Sequence, residues 1–109
     1  MKNKLRYSPE ALNDLDETWE YIMMGLGNPN AAENVVSNII NSIDKLKDFA
    51  KMGTPLSLQN NIESDYRFLL SGNYMIFYRV SESNIYIDRI LYGKRDYLHT
   101  LFPSSEKNE

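Results

Sequence analysis

Apolar positions in the first half of the chain recur at steps of three and four. Leu12, Leu15, Trp19 and Ile22 form one stripe, and Ala32, Val36, Ile39, Ile43 and Leu46 form a second. That is the spacing of two amphipathic helices, each with one side turned to a core. On this phase Trp19 is a core residue. Ser8-Pro9-Glu10 opens the first helix with a hydroxyl cap, a proline at the first helical position and an acid in the positive first turn. Gly25 and Gly27 end it, and Asn28-Pro29 starts the second by the same cap-then-proline logic. So short a connection predicts an antiparallel helical hairpin.

Elsewhere the period drops to two. A short strand is expected over Lys4 to Tyr7, before the helices. Residues 50–64, with Gly53, Pro55 and several polar residues, show no period and read as a loop with little regular structure. Three strands then follow: Tyr66 to Ser71, Tyr74 to Val80 and Ile85 to Tyr92. Gly72-Asn73 marks the first tight turn, and Ser81-Glu82-Ser83-Asn84 the second. In the middle strand Met75 and Phe77 fall on one face, with Tyr74, Ile76, Tyr78 and Val80 on the other. Both faces are apolar, which predicts a central strand. The last strand breaks step at Arg89-Ile90-Leu91, the mark of a bulge or twist. Arg79 is expected to ion-pair with acids in the adjacent turn. The fold class is therefore α+β: a helical hairpin packed on a mostly antiparallel sheet in the order β-α-α-β-β-β, then a short C-terminal helix or tail. One domain spans residues 1–109, with 103–109 as a frayed tail.

Composition narrows the chemistry. A chain of 109 residues, 42% hydrophobic and 25% charged, carries one modest core and reads as a soluble globular protein. No run is long and apolar enough for a membrane span, and the N-terminus lacks a signal-peptide pattern, so a cytoplasmic protein without membrane contact is expected. The absence of cysteine removes disulfides and thiolate chemistry. With His99 as the one histidine, a zinc site of nitrogen and sulfur ligands is excluded, and neither metal nor cofactor is expected. The net charge of −3 argues against a protein that coats nucleic acid. Its distribution is uneven. Glu10, Asp14, Asp16, Glu17, Glu20 and Glu33 lie between residues 8 and 33 with no Lys or Arg among them. Arg67, Arg79, Arg89, Lys94 and Arg95 dominate residues 66–95. Such polarity suits docking by one face.

The densest chemistry lies in RILYGKRDYLHTLF, residues 89–102, where a strand empties into Gly93-Lys94-Arg95-Asp96 and then Tyr97, His99 and Phe102. This stretch, with YRFLLSGNYMIFYRV before it, resembles the C-terminal half of the RelE/ParE superfamily, the toxins of two-gene type II toxin–antitoxin modules. The shared features are Arg67, the Gly72 to Val80 strand and the Arg89 to Asp96 ending. YSPEALNDLDETWEYI and the later Asn-Pro-x-Ala-Ala resemble the helical hairpin of the ParE branch, and the likeness runs from about residue 5 to 102.

The resemblance implies a growth-arresting toxin with a cognate antitoxin and, in the ParE branch, a role in plasmid stabilisation. It leaves two mechanisms open. RelE-type members cleave mRNA on the ribosome without metal, a reaction that needs a base, an acid and cations for the phosphorane charge. Arg67, Arg95, Tyr97 and His99 are the positions that could serve there. ParE-type members bind and poison DNA gyrase and do no covalent chemistry. Two positions where the RNA-cleaving branch commonly carries cations are Met75 and Leu69 here, and a thioether or an alkyl chain cannot hold a phosphate. That tilts the reading to the ParE branch, in which Arg67, Tyr92, Lys94, Arg95 and Tyr97 are candidate contacts to target or antitoxin. An acidic antitoxin segment would be drawn to the Arg67 and Arg95 side, and operator DNA would be met only through the antitoxin. A third possibility is a non-toxic member that binds its partner and represses its own operon.

Overall fold

The computed structural model describes residues 2–56 and 65–93. The elements run β1 (Lys4–Tyr7), α1 (Pro9–Glu20), α2 (Pro29–Asp44), β2 (Thr54–Pro55), β3 (Arg67–Ser71), β4 (Tyr74–Ser81) and β5 (Asn84–Tyr92). They form a five-stranded sheet in the order β1-β5-β4-β3-β2. All neighbours are antiparallel except β1, which runs parallel to β5 with Lys4 opposite Asn84 and Tyr7 opposite Ile87. The fold is the expected α+β arrangement, with β4 at the centre. The expected tail and the latter part of the 50–64 loop lie outside the described residues. Within that loop the expectation of little regular structure needs correcting. Thr54 and Pro55 pair with Phe68 and Arg67 as an edge strand. Two residues, one a proline, give no period to read, and proline is tolerated at an edge because it has no amide to offer the ladder.

Both helices start as their caps dictate. The Ser8 hydroxyl accepts from the Ala11 amide at 2.9 Å, and the Asn28 side chain accepts from the Ala31 amide at 3.0 Å. Ser8 also donates to the Asp88 carbonyl of β5 at 2.8 Å, which ties the helix start to the sheet. Ser8→Ala should therefore cost about 1–2 kcal/mol, more than the roughly 0.5–1 kcal/mol expected for the exposed Asn28→Ala cap. Equal costs in urea melts would show that the bond to Asp88 adds nothing. α1 passes into a π-helical turn at Tyr21–Gly25, and Gly27 at φ +61° ends the segment.

The helices cover one face of the sheet. Ala11, Ile39, Ile43 and Leu46 pack on Ile76, Tyr78, Ile85, Ile87 and Ile90 in the main core. On the opposite face Met75 and Phe77 are buried with Leu56, against Tyr66, Phe68 and Leu91. The two-sided burial of β4 is thus as its pattern required. In α1 the phase is shifted. The buried positions are Ala11, Asp14, Thr18 and Ile22, whereas Leu12 is 51% exposed and Trp19 is 39% exposed. Trp19 is not a core residue. Ser8 and Pro9 set where the helix begins, but its rotation is set by Asp14, which must reach a partner on the sheet.

That partner sits at the bulge in β5. Phe77 pairs with Arg89 while Tyr78 pairs with Ile87, so Asp88 is the extra residue. The irregularity lies one residue before the Arg89 break in the sequence pattern. Four tyrosines, the partly buried Tyr7, Tyr66 and Tyr74 and the fully buried Tyr78, have phenol pKa values raised above the ordinary 10.0, in each case chiefly because burial disfavours the phenolate. A folded pKa above the unfolded one leaves stability intact below pH 10. It is lost as pH rises through the shifted values. Absorbance at 295 nm should show these phenolates appearing only above pH 10, together with loss of helical ellipticity. Their ionisation below pH 10 in a protein that keeps its ellipticity would contradict this.

Candidate functional site

The cationic residues that sequence pattern nominated are held in different ways. Arg67, at the start of β3, donates to the Gly53 carbonyl at 2.8 Å and the Lys51 carbonyl at 3.3 Å. Its guanidinium is a clamp on the 50–53 turn. Tyr78, directly opposite Arg67 across the ladder, completes that clamp: its hydroxyl donates to the Ala50 carbonyl and accepts from the Gly53 amide, both at 2.9 Å. Burial raises the Tyr78 phenol above its ordinary range, although the Gly53 amide and the nearby Arg67 charge pull the other way.

Arg79 is a structural ion-pair partner, as expected, but the acid is not in the neighbouring turn. Its Nε donates to Asp88 Oδ2 at 2.7 Å, and its guanidinium lies 5.8 Å from the ring centroids of Tyr66 and Tyr86. The bulge presents Asp88 to it. The bond to Asp88 raises the guanidinium pKa further, against the effect of burial. Arg89 reaches the other way. Its Nε and a terminal nitrogen each donate to Asp14 of α1 at 2.9 Å, and the Ile90 amide adds a third bond to the same carboxylate at 2.8 Å. Asp14 is almost fully buried, so its carboxylate is desolvated, with both oxygens engaged by donors. The bond to Asp14 likewise raises Arg89.

Tyr92 ends β5 with 58% of its surface exposed and its ring edge-on to Tyr74, centroids 5.2 Å apart. Gly93 follows at φ +73°, its amide donating to the Asn73 carbonyl. Tyr92 therefore shares a row with Tyr74 and Ser71, while Arg67 is at the far end of the same ladder. Strand geometry separates them by roughly 13 Å along the strands and about 10 Å across them. The structure does not gather Arg67 and Tyr92 into one site. Lys94, Arg95, Tyr97 and His99 lie outside the described residues.

Met75 and Leu69 have clear places. Met75 is buried beside Phe77 and Leu56, and Leu69 packs against the main core. A shallow depression of about 130 Å³ lies between Leu70, Gly72, Asn73, Met75 and Gly93, below the roughly 300–1,000 Å³ of small-molecule sites. Among the described residues no group of three or more His, Cys, Asp or Glu could hold a metal ion, and no helix is long and apolar enough to cross a membrane. Three residues that organise this region, Asp14, Gly53 and Tyr78, had not been singled out from sequence. Tyr78 carried a faint signal, since a tyrosine inside an apolar strand needs a partner for its hydroxyl.

Residues 5–97 match the family model of the ParE toxin of type II toxin–antitoxin systems, parDE. Curated protein sequences contain no significant match. Among solved structures, the chain is similar to one from the chromosomal ParDE toxin–antitoxin system of P. aeruginosa. The TM-score is 0.70 at 22% identity, over 85% of this chain and 98% of that one. A chain of the RelBE2 toxin–antitoxin complex of Mycobacterium tuberculosis aligns with a TM-score of 0.61 at 16% identity, over 84% and 99% of the two chains. One from the E. coli DinJ–YafQ complex aligns at 0.50 and 12%, over 94% and 98%. At these identities the structural likeness speaks for the fold.

Proposed function

Because the chain belongs to the ParE toxin family of type II toxin–antitoxin systems, we propose that it arrests growth by binding DNA gyrase. A cognate antitoxin holds it inactive. The observation that carries this reading is the packing of Met75 and Leu69. They occupy strand positions where an RNA-cleaving toxin of the superfamily would present cations, and here both side chains are turned into apolar clusters. Arg67, the remaining cation of that strand, is committed to two carbonyls. A phosphorane intermediate needs several positive groups converging within hydrogen-bond reach, and in β3 to β5 each arginine is already engaged by an internal acceptor. The antitoxin partner draws support from the ParDE and RelBE2 systems in which similar folds occur.

In this reading Lys94, Arg95 and Tyr97, next to Tyr92 in the sequence, are contacts to target or antitoxin, and an acidic antitoxin segment binds them, folding as it does so. Arg95→Glu should weaken antitoxin affinity or growth arrest by about tenfold or more, since reversing a charge replaces attraction by repulsion. Unchanged arrest and unchanged antitoxin affinity would remove Arg95 from these contacts. The mechanism itself is tested by inducing the protein alone in bacteria and pulse-labelling DNA and protein synthesis. DNA synthesis falling first supports gyrase as the target. Protein synthesis falling first would point to mRNA cleavage, and no arrest to a member that only binds its partner.

A further inference from the structure

We propose that the outer face of α1 is a docking surface for a cationic amphipathic segment of the growth target, separate from the face the antitoxin covers. The inference rests on the toxin reading above and adds a second surface to it. Leu12 and Trp19 stand two turns apart on one side of α1, 51% and 39% exposed, and Met24 in the π-helical turn is 83% exposed. Residues seven apart share a helix stripe. This stripe is distinct from the buried side formed by Ala11, Asp14, Thr18 and Ile22. A water-facing tryptophan beside further apolar side chains is the kind of anchor in which binding energy concentrates once a partner covers it.

Asp16 and Glu20 stand beside the strip, both exposed. Neither forms an ion pair among the described residues, and residues 8–33 contain no Lys or Arg. Asp16 and Glu20, one turn apart, repel each other, so this arrangement costs the isolated helix stability. Its charge is matched only by an incoming partner. A second copy packed about a two-fold axis would set acids against acids. Head-to-tail contact draws no support from Arg67, Arg79 and Arg89 of another copy, which are all bound internally. An acidic antitoxin segment would be repelled as well. A segment carrying Lys or Arg beside leucine-type residues satisfies both the apolar strip and its rim.

The test is the double variant Asp16→Lys, Glu20→Lys, with Trp19→Ala as a second variant that leaves the charge alone. Both sets of side chains are exposed, and thermal melts would verify folding. Each is compared with wild type for growth arrest on induction, for inhibition of supercoiling by purified DNA gyrase, and for affinity to the purified antitoxin. Both variants should lose arrest, with the inhibitory concentration rising about tenfold or more, while antitoxin affinity changes less than about twofold. Undiminished arrest in both variants overturns the inference and leaves the gyrase reading standing. Loss of antitoxin affinity in parallel also overturns it, by giving the strip to the antitoxin. If wild type arrests protein synthesis instead, the gyrase reading falls, and the surface is still scored by the same growth comparison. A wild type that arrests nothing overturns both.

Discussion

Asp14→Ala should lower stability by about 3 kcal/mol, a Tm loss of more than about 10 °C for a domain of this size. The carboxylate accepts three hydrogen bonds, two from Arg89 and one from the Ile90 amide. Removing it strands a guanidinium and leaves a buried amide without an acceptor. The estimate sits at the low end of the roughly 3–5 kcal/mol for breaking buried pairs because the Arg89 side chain keeps 28% of its surface in water. Arg89→Met should cost at least as much, since it leaves a nearly buried carboxylate with one donor. The double variant Asp14→Ala, Arg89→Met should cost less than either single one. With both charges gone, only the Ile90 amide remains unsatisfied, worth about 1–3 kcal/mol. Equilibrium urea unfolding of the three variants closes the cycle. Additive costs would show that the pair contributes nothing as a pair.

Gly53→Ala is expected to cost about 3 kcal/mol for a different reason. An added Cβ would lie 2.5 Å from the Tyr78 hydroxyl oxygen, 2.7 Å from Tyr78 Cε1 and 2.8 Å from the Phe68 carbonyl oxygen. Two of those neighbours belong to a fully buried ring and one to the β3 backbone, so none can swing aside. Overpacking of this kind costs about 1–3 kcal/mol, and pushing Tyr78 away would also break its bonds to Ala50 and Gly53. Tyr78→Phe alone should cost about 1–2 kcal/mol. Combining it with Gly53→Ala should give less than the sum, since the closest clash is with the deleted oxygen. The loss should persist in part, because Cε1 and the Phe68 carbonyl remain. A Gly53→Ala variant as stable as wild type would show that the turn can shift and that the clamp of Arg67 and Tyr78 is loose.

The elements that sequence reading located are those whose cause is local. Ser8-Pro9 and Asn28-Pro29 cap their helices within three residues, and Gly72 at φ +59° supplies the sign that the first central residue of a type II′ hairpin turn requires. The alternation of β4 revealed a strand covered on both sides. What escaped was set by partners far along the chain. In α1 the apolar residues suggested one rotation, yet the helix buries Asp14 and Thr18 and exposes Leu12 and Trp19. A lone aspartate normally reads as solvent-facing, and only Arg89, 75 positions away, reverses that. The same holds for Arg67. As a sequence feature it was a free cation, and in the fold it is a donor to two backbone carbonyls. Of the candidate contacts, only Tyr92 is both described and exposed.

The parallel pairing of β1 with β5 also has a kinetic consequence. Lys4 is made well before Asn84 and must wait for it to find its register. Strand pairing between such distant segments pays its loop-closure entropy before any contact rewards it, which slows folding relative to a fold of local contacts. Chains grow at about 5–20 residues per second. Until β5 has been made the nascent protein therefore has neither a closed sheet nor the Asp14–Arg89 pair that orients α1 on it. Any partner that reads the assembled sheet must wait for that strand.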